Sequence, residues 1–280
     1  MTKIIFPTDF SATANNAFIY ALKLANSLNA ELFVLHTYEM PIISTMSSGE
    51  PDVIFDVYGK LEDHQHEYYL KHTAEMKAIA EKHNLMGVKP TYLFERGLLI
   101  PIMEKIINRE DVNFVVMGTT GASGIEKKLM GSNTIKAIRE LKIPIISVPH
   151  NAVYQGMRKI AFTTLYKEKD IPAMEEIVGI ATRLQSEINV VHVTENPDAP
   201  ELIAVQNQWK AKFPQSFITF HTIESDDVEG SIFDFMAEHQ INILAMIRRN
   251  KNFFDRLFGS SYTKKLSYHI NEPVMVLHEL

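Results

Sequence analysis

The sequence predicts an α/β protein built as two tandem copies of a five-stranded parallel sheet covered by helices on both faces. Two observations carry that prediction. The chain repeats itself: residues 1–41 lie over residues 157–197 without a gap, so that Lys3 and Ile4 meet Lys159 and Ile160, Phe6 meets Phe162, Thr8 meets Thr164, and Val34, His36, Glu39 and Pro41 meet Val190, His192, Glu195 and Pro197. The ends match with small gaps, residues 114–117 over 243–246 and 143–148 over 272–277. Continuous short apolar runs also alternate with segments of helical spacing, which implies parallel strands buried on both faces. The length of 280 residues fits two domains, 1–150 and 151–280, joined near residues 150–156.

The elements follow in order. Residues 4–6 read as strand one, and residues 12–28 carry Ala17, Ala21, Leu24 and Leu28 at helical spacing. Residues 32–35 are a second buried strand, followed by a loop over 40–51 rich in Ser, Pro and Met that is a candidate gate. A charged helix is expected over 53–83, strands at 91–94, 114–117 and 145–148, and helices over 100–107 and 134–141. In such sheets ligands sit beyond the carboxyl ends of the strands, where strand order reverses. The loops after strands one, two and four are therefore the candidate site.

Composition narrows the chemistry. With no cysteine, disulfides, thiolate metal sites and cysteine nucleophiles are excluded. A net charge of −6 argues against a broad electrostatic hold on nucleic acid. The opening residues break at Pro7 after a short apolar run, unlike a secretory leader, and no run has the roughly 18–20 apolar residues of a membrane span. The expectation is a cytoplasmic protein.

The loop after strand four runs from Gly118 to Ser132 through Gly121 and Gly131. Its glycines let backbone amides approach an anion closely, and Gly131-Ser132 leads into a helix whose first amides favour phosphate. Ser132 and Thr134 add hydroxyls. The alternative is that the glycines only turn the chain and Ser132 only caps the helix. Neither GxxxxGK[ST] nor GxGxxG is present.

Gly118, Gly121, Gly131 and Ser132 match Gly-x2-Gly-x9-Gly-[Ser/Thr], and in this the chain resembles the universal stress protein family. The run from Pro7 through Thr8, Asp9 and Phe10 to Ser11 is similar to that family's opening, as is Val34-Leu35-His36. The resemblance implies a nucleotide-binding α/β sandwich that takes ATP (or ADP or AMP) in many members, with Mg2+ as a companion ion. Gly118 and Gly121 would lie on the ribose and phosphate side, Gly131 and Ser132 on the phosphates, and Asn133 and Thr134 as further phosphate contacts. Asp9, flanked by Pro7 and Thr8, would sit beside the ribose or a metal-bridged phosphate; on the residues alone it is equally a turn or helix cap. Thr37, just past strand two, would meet adenine through its backbone, and Met117 would floor the base or serve as core. Family members associate through their fifth strands, so the two halves are expected to pair there as a pseudo-dimer, with a homodimer of chains beyond it.

The second half departs from this pattern. Ile247 and Asn250 stand nearest the leading glycines, and Leu165 matches Asp9, although Gly259-Ser260 survives. One nucleotide site per chain is expected, in the first half. Arg248, Arg249, Lys251 and Arg256 suit either another anion or a solvated loop. Glu62, Asp63, His64, His66, Glu67 and His72 on one helix suit metal or, more simply, a solvated face, and no metal site is assigned. No catalytic constellation emerges. The expected role is regulatory nucleotide binding; the alternatives are slow ATP hydrolysis or adenylate chemistry, or a nucleotide-free scaffold.

Overall fold

The computed structural model describes residues 1–41, 51–119, 131–248 and 272–279. The first half runs β1 (Lys3–Pro7), α1 (Ala12–Leu28), β2 (Glu31–Tyr38), α2 (Pro51–Lys82), β3 (Thr91–Arg96), α3 (Leu99–Glu110), β4 (Phe114–Gly118), α4 (Ser132–Glu140) and β5 (Ile145–Val148). The second half runs β6 (Lys159–Thr163), α5 (Ile171–Leu184), β7 (Glu187–Thr194), α6 (Pro200–Lys212), β8 (Ile218–Glu224), α7 (Val228–His239), β9 (Ile243–Arg248) and β10 (Val274–His278).

The strands form one ten-stranded sheet in the order β3-β2-β1-β4-β5-β10-β9-β6-β7-β8. Within each half every pair is parallel and the order is the same. The halves meet through their fifth strands, as expected, in an antiparallel pair with Val274 opposite Ser147, Met275 opposite Ile146 and Val276 opposite Ile145. Ser147 also donates its hydroxyl to Val274 O at 3.2 Å. Register repeats too: Lys3 faces Glu31 and Lys159 faces Glu187.

The period of two along each strand divides the core. Ile4, Phe6, Phe114, Val116, Ile160, Phe162, Met275 and Leu277 face one side, under α1, α2, α5 and α6. Ile5, Val115, Met117, Ala161, Val274 and Val276 face the other, under α3, α4 and α7. Each core layer therefore draws on both halves. Helix α1 buries Ala14, Ala17, Ala21 and Ala25, whose small side chains let it lie close to the sheet, and it ends at Asn29 in the left-handed region, φ 48°. Ser11 starts it by accepting from Ala14 N.

The connection from β5 to β6 is pinned. Asn16 Nδ2 donates to Pro149 O at 3.1 Å and to Ala152 O at 3.0 Å, and Tyr154 donates its hydroxyl to Ser27 Oγ. Across the same seam Arg183 Nη1 donates to Thr2 Oγ1 at 2.7 Å. Among the described residues no helix is long and apolar enough to cross a membrane.

His278, at the end of β10, lies opposite Arg248 of β9. Burial, with the cations Arg248 and Lys142 nearby, pushes its imidazole down from 6.5 to about 4. The folded chain thus holds the ring neutral. Below about pH 6.5 the unfolded chain takes up a proton that the folded chain refuses, so stability falls as pH drops from about 6.5 toward about 4. Urea unfolding at pH 7 and pH 5 should show a smaller acid-induced loss in His278→Gln than in the unsubstituted chain. Equal losses in the two proteins would exclude this ring as a source of the acid sensitivity.

Candidate functional site

The site begins with a missing hydrogen-bond donor. Successive residues of a strand turn their backbone groups to opposite sides. Thr8 N donates to Leu35 O of β2, and Lys3 O accepts from Asn113 N on the β4 side. By that alternation Pro7 faces β4, and proline has no N–H to give. Pairing of β1 with β4 accordingly stops at Ile4 with Phe114 and Ile5 with Val115. In the second half Thr163 stands at the Pro7 position, and β6 pairs with β9 through Thr163 and Met246. The sheet splits between β1 and β4, where strand order reverses, and stays zipped at the equivalent place in the second half.

A cavity of about 540 Å3 occupies the split. Pro7, Thr8 and Asp9 line it from the end of β1, Thr37 from β2, Met117 and Gly118 from β4, and Gly131, Ser132, Asn133 and Thr134 from the start of α4. Ten of the eleven residues expected at the site thus converge on one space. Gly121 lies outside the described residues, as do residues 42–50 of the candidate gate, and Arg249, Asn250, Lys251, Arg256, Gly259 and Ser260.

Two local arrangements differ from the sequence readings. Strand two continues to Tyr38, so Thr37 lies within it, opposite Glu95 of β3. Leu35 turns its carbonyl to β1; Thr37, two residues on, turns its N–H and C=O the same way, beyond the end of β1 and toward the cavity. Ser132 does not cap α4. The N-cap is Gly131, with φ −68°, and no side chain caps the turn. The first intrahelical amide is Ile135 N, bonded to Gly131 O at 3.0 Å, which leaves Ser132, Asn133 and Thr134 N–H without intrahelical acceptors. Thr134 itself is buried, and its hydroxyl donates to Gly118 O at 2.8 Å. That bond ties α4 to the end of β4.

Asp9 does serve the turn: its Oδ1 accepts from Ser11 N at 3.0 Å. It remains exposed at the cavity rim. His36 Nδ1–H donates to Thr8 O at 2.9 Å, with its ring 4.6 Å from Phe10 and near-parallel to Phe94 at 6.2 Å. Burial lowers its pKa. His72 stacks on Phe10 and bonds Glu75, and Tyr38 donates to Glu62. Among the described residues no group of three His, Asp or Glu side chains is placed to hold a metal.

The far wall of the cavity carries no expectation from the sequence: it is made by Gly97 and Leu98 between β3 and α3, Leu99 and Ile100 at the start of α3, and Lys136 one turn into α4. Gly97 has φ 141°, and a Cβ there would meet Ile102 at 3.3 Å. The Arg96-Gly97 junction was the available signal, a glycine closing strand three. Lys136 follows Ser132 by four residues and so shares its helical face.

In the second half the acid reappears elsewhere. Asp170 Oδ2 accepts from Thr164 Oγ1 at 2.8 Å, Lys167 N at 3.2 Å and Leu165 N at 3.3 Å, so it binds its own turn. Ile247, at the Gly118 position, is buried in the same apolar cluster as Tyr166 and Trp209.

The sequence model of the universal stress protein family matches residues 1–149, more than half of the chain. The chain belongs to the universal stress protein family. Universal stress protein MJ0531 of Methanocaldococcus jannaschii is 26% identical over 147 residues, 52% of this chain and 81% of that protein. Universal stress protein MJ0577 of the same organism is 27% identical over 156 residues, 52% of this chain and 93% of that protein. In fold, the chain is similar to a universal stress protein from Archaeoglobus fulgidus at 18% identity and a TM-score of 0.67, over 99% of this chain and 98% of that one. This family member thus shares its whole-chain architecture with a solved relative.

Pro7→Thr would place in the first half the residue found in the second. The amide of residue 7 should then exchange with solvent as slowly as that of Ile5, measured residue by residue by NMR. Fast exchange at residue 7 would show that something other than the absent N–H holds the split open.

Proposed function

We propose that the chain binds one adenine nucleotide, ATP in particular, in the cavity between β1 and β4, and that occupancy rather than turnover is its output. One observation carries this reading: the outward-turned backbone of Thr37 and the uncapped amides of Ser132, Asn133 and Thr134 face the same space. A strand edge offering one donor and one acceptor suits the edge of a purine. A helix N-terminus suits phosphate, because its unpaired N–H groups and dipole both favour an anion. The volume falls within the roughly 300–1,000 Å3 of small-molecule sites.

Gly118 and Gly131 border the path between base and phosphates, Met117 floors it, and Lys136 supplies a cation beside the helix end. Asp9 repels bare phosphate, and a bridging Mg2+ would turn that repulsion into attraction. The ligand would tie together the ends of β1, β2, β4 and α4, so its binding free energy stabilises that arrangement of the chain. The region 1–150 acts as the nucleotide domain. In 151–280 the zipped β6–β9 pair, buried Ile247 and committed Asp170 support a domain without an equivalent site.

Calorimetric titration should give one ATP site per chain. Gly131→Val, which adds a branched side chain to the cavity lining, should weaken binding by about tenfold or more, or ~1.4 kcal/mol. Asp9→Ala should remove most of the Mg2+ dependence of binding. Two comparable sites per chain, or unaltered affinity in Gly131→Val, would overturn the assignment.

A further inference from the structure

We propose that Arg248 of the second half is a positioning residue for the first-half cavity, acting through α4, so that the half without a glycine loop braces the site of the half that has one. The inference rests on the nucleotide reading of that cavity. Helix α4 presents its amino end to the cavity, and its carboxyl end points away toward the seam. The last carbonyls of a helix have no intrahelical donor. Arg248 Nη1 supplies one, lying 3.1 Å from Ile138 O and 2.8 Å from Arg139 O. A guanidinium at this end also complements the helix dipole.

The placement follows from the strand order. Helix α4 leads into β5, β5 pairs with β10, and β10 pairs with β9 so that His278 lies opposite Arg248. The seam made by the two fifth strands brings the end of β9 beside the end of α4. In the first half the equivalent position is Thr119, whose N–H bonds Val148 O and whose carbonyl accepts from Gly131 N. The same strand end therefore serves α4 twice. From within the first half it fixes the amino end through Thr119 and, one residue earlier, through the Gly118–Thr134 bond. From the second half it fixes the carboxyl end through Arg248.

A nine-residue helix is marginal without such support, since short helices draw their stability from their surroundings. Freeing the last turn loosens the geometry of the first, and phosphate binding depends on the direction of three amides. Arg248 also lies opposite His278 in the β9–β10 pair.

The test is ATP titration of the full chain with Mg2+, together with amide exchange over residues 132–137 without ligand. Arg248→Ala should weaken ATP about five- to tenfold and speed exchange in α4, while the site count stays at one. Arg248→Lys, which keeps the charge and packs conservatively, should give an intermediate affinity and carries the comparison if the alanine variant folds poorly. Arg183→Ala, which removes a seam contact that does not touch α4, should leave both readouts unchanged. A fall in melting temperature with unaltered ATP affinity and unaltered α4 exchange would overturn the inference alone. Absence of ATP binding in the unsubstituted chain would overturn the reading of the cavity, and this inference with it.

Discussion

Three residue pairs between β5 and β10 turn two five-stranded sheets into one. That pairing removes the edge each sheet would otherwise expose, and an exposed edge is a template for unwanted association. It also makes both core layers continuous across the seam, since Ile146 and Val148 share one layer with Met275 and Leu277, and Ile145 shares the other with Val274 and Val276. The burial of the seam residues is near complete, so neither half retains its core intact without the other. The position of Arg248 against α4 is a further consequence of the same pairing.

The two halves differ at one backbone atom near the end of the first strand. Where β1 ends in Pro7, the sheet splits and strand ends, helix end and loop residues surround a cavity. Where β6 ends in Thr163, two further residue pairs form and β6 stays joined to β9 over the corresponding length. The side chains agree with the backbone on each side. Gly118 leaves room at the open end, and Ile247 fills the closed one. Asp9 stays at the rim, whereas Asp170 is buried and spent on the turn after β6. Meanwhile the parts that support the strands are kept: His36 and His192 both bond the carbonyl of the threonine after the first strand, at 2.9 Å in each case. Among the described residues both copies keep this scaffold, and the strand split is seen in the first.

Much of the site was legible because it rests on local chain chemistry. Glycines at 118 and 131, an acid after strand one and a threonine near the end of strand two are all visible as residue types at set spacings. Other features were not legible. Residues 36–38 carry a His-Thr-Tyr run that does not read as buried strand, yet pairing with β3 extends β2 to Tyr38. The far wall at residues 97–100 offers only Gly97 as a signal, and a glycine closing a strand does not by itself mark a ligand wall. Ser132 reads as a cap on residue type, but Gly131 takes the cap position and leaves the amides open.

The sequence by itself determined the α/β class, the duplication and the unequal glycine loops, because strand burial, helical spacing and backbone freedom are properties of residues and their near neighbours. Only the tertiary structure decided that the fifth strands join antiparallel, that β1–β4 pairing stops short of Pro7 while β6–β9 pairing runs on through Thr163, and that an arginine from the other half bonds the end of α4. Each of these depends on which backbone groups face one another across more than a hundred residues of chain, and no local pattern encodes that.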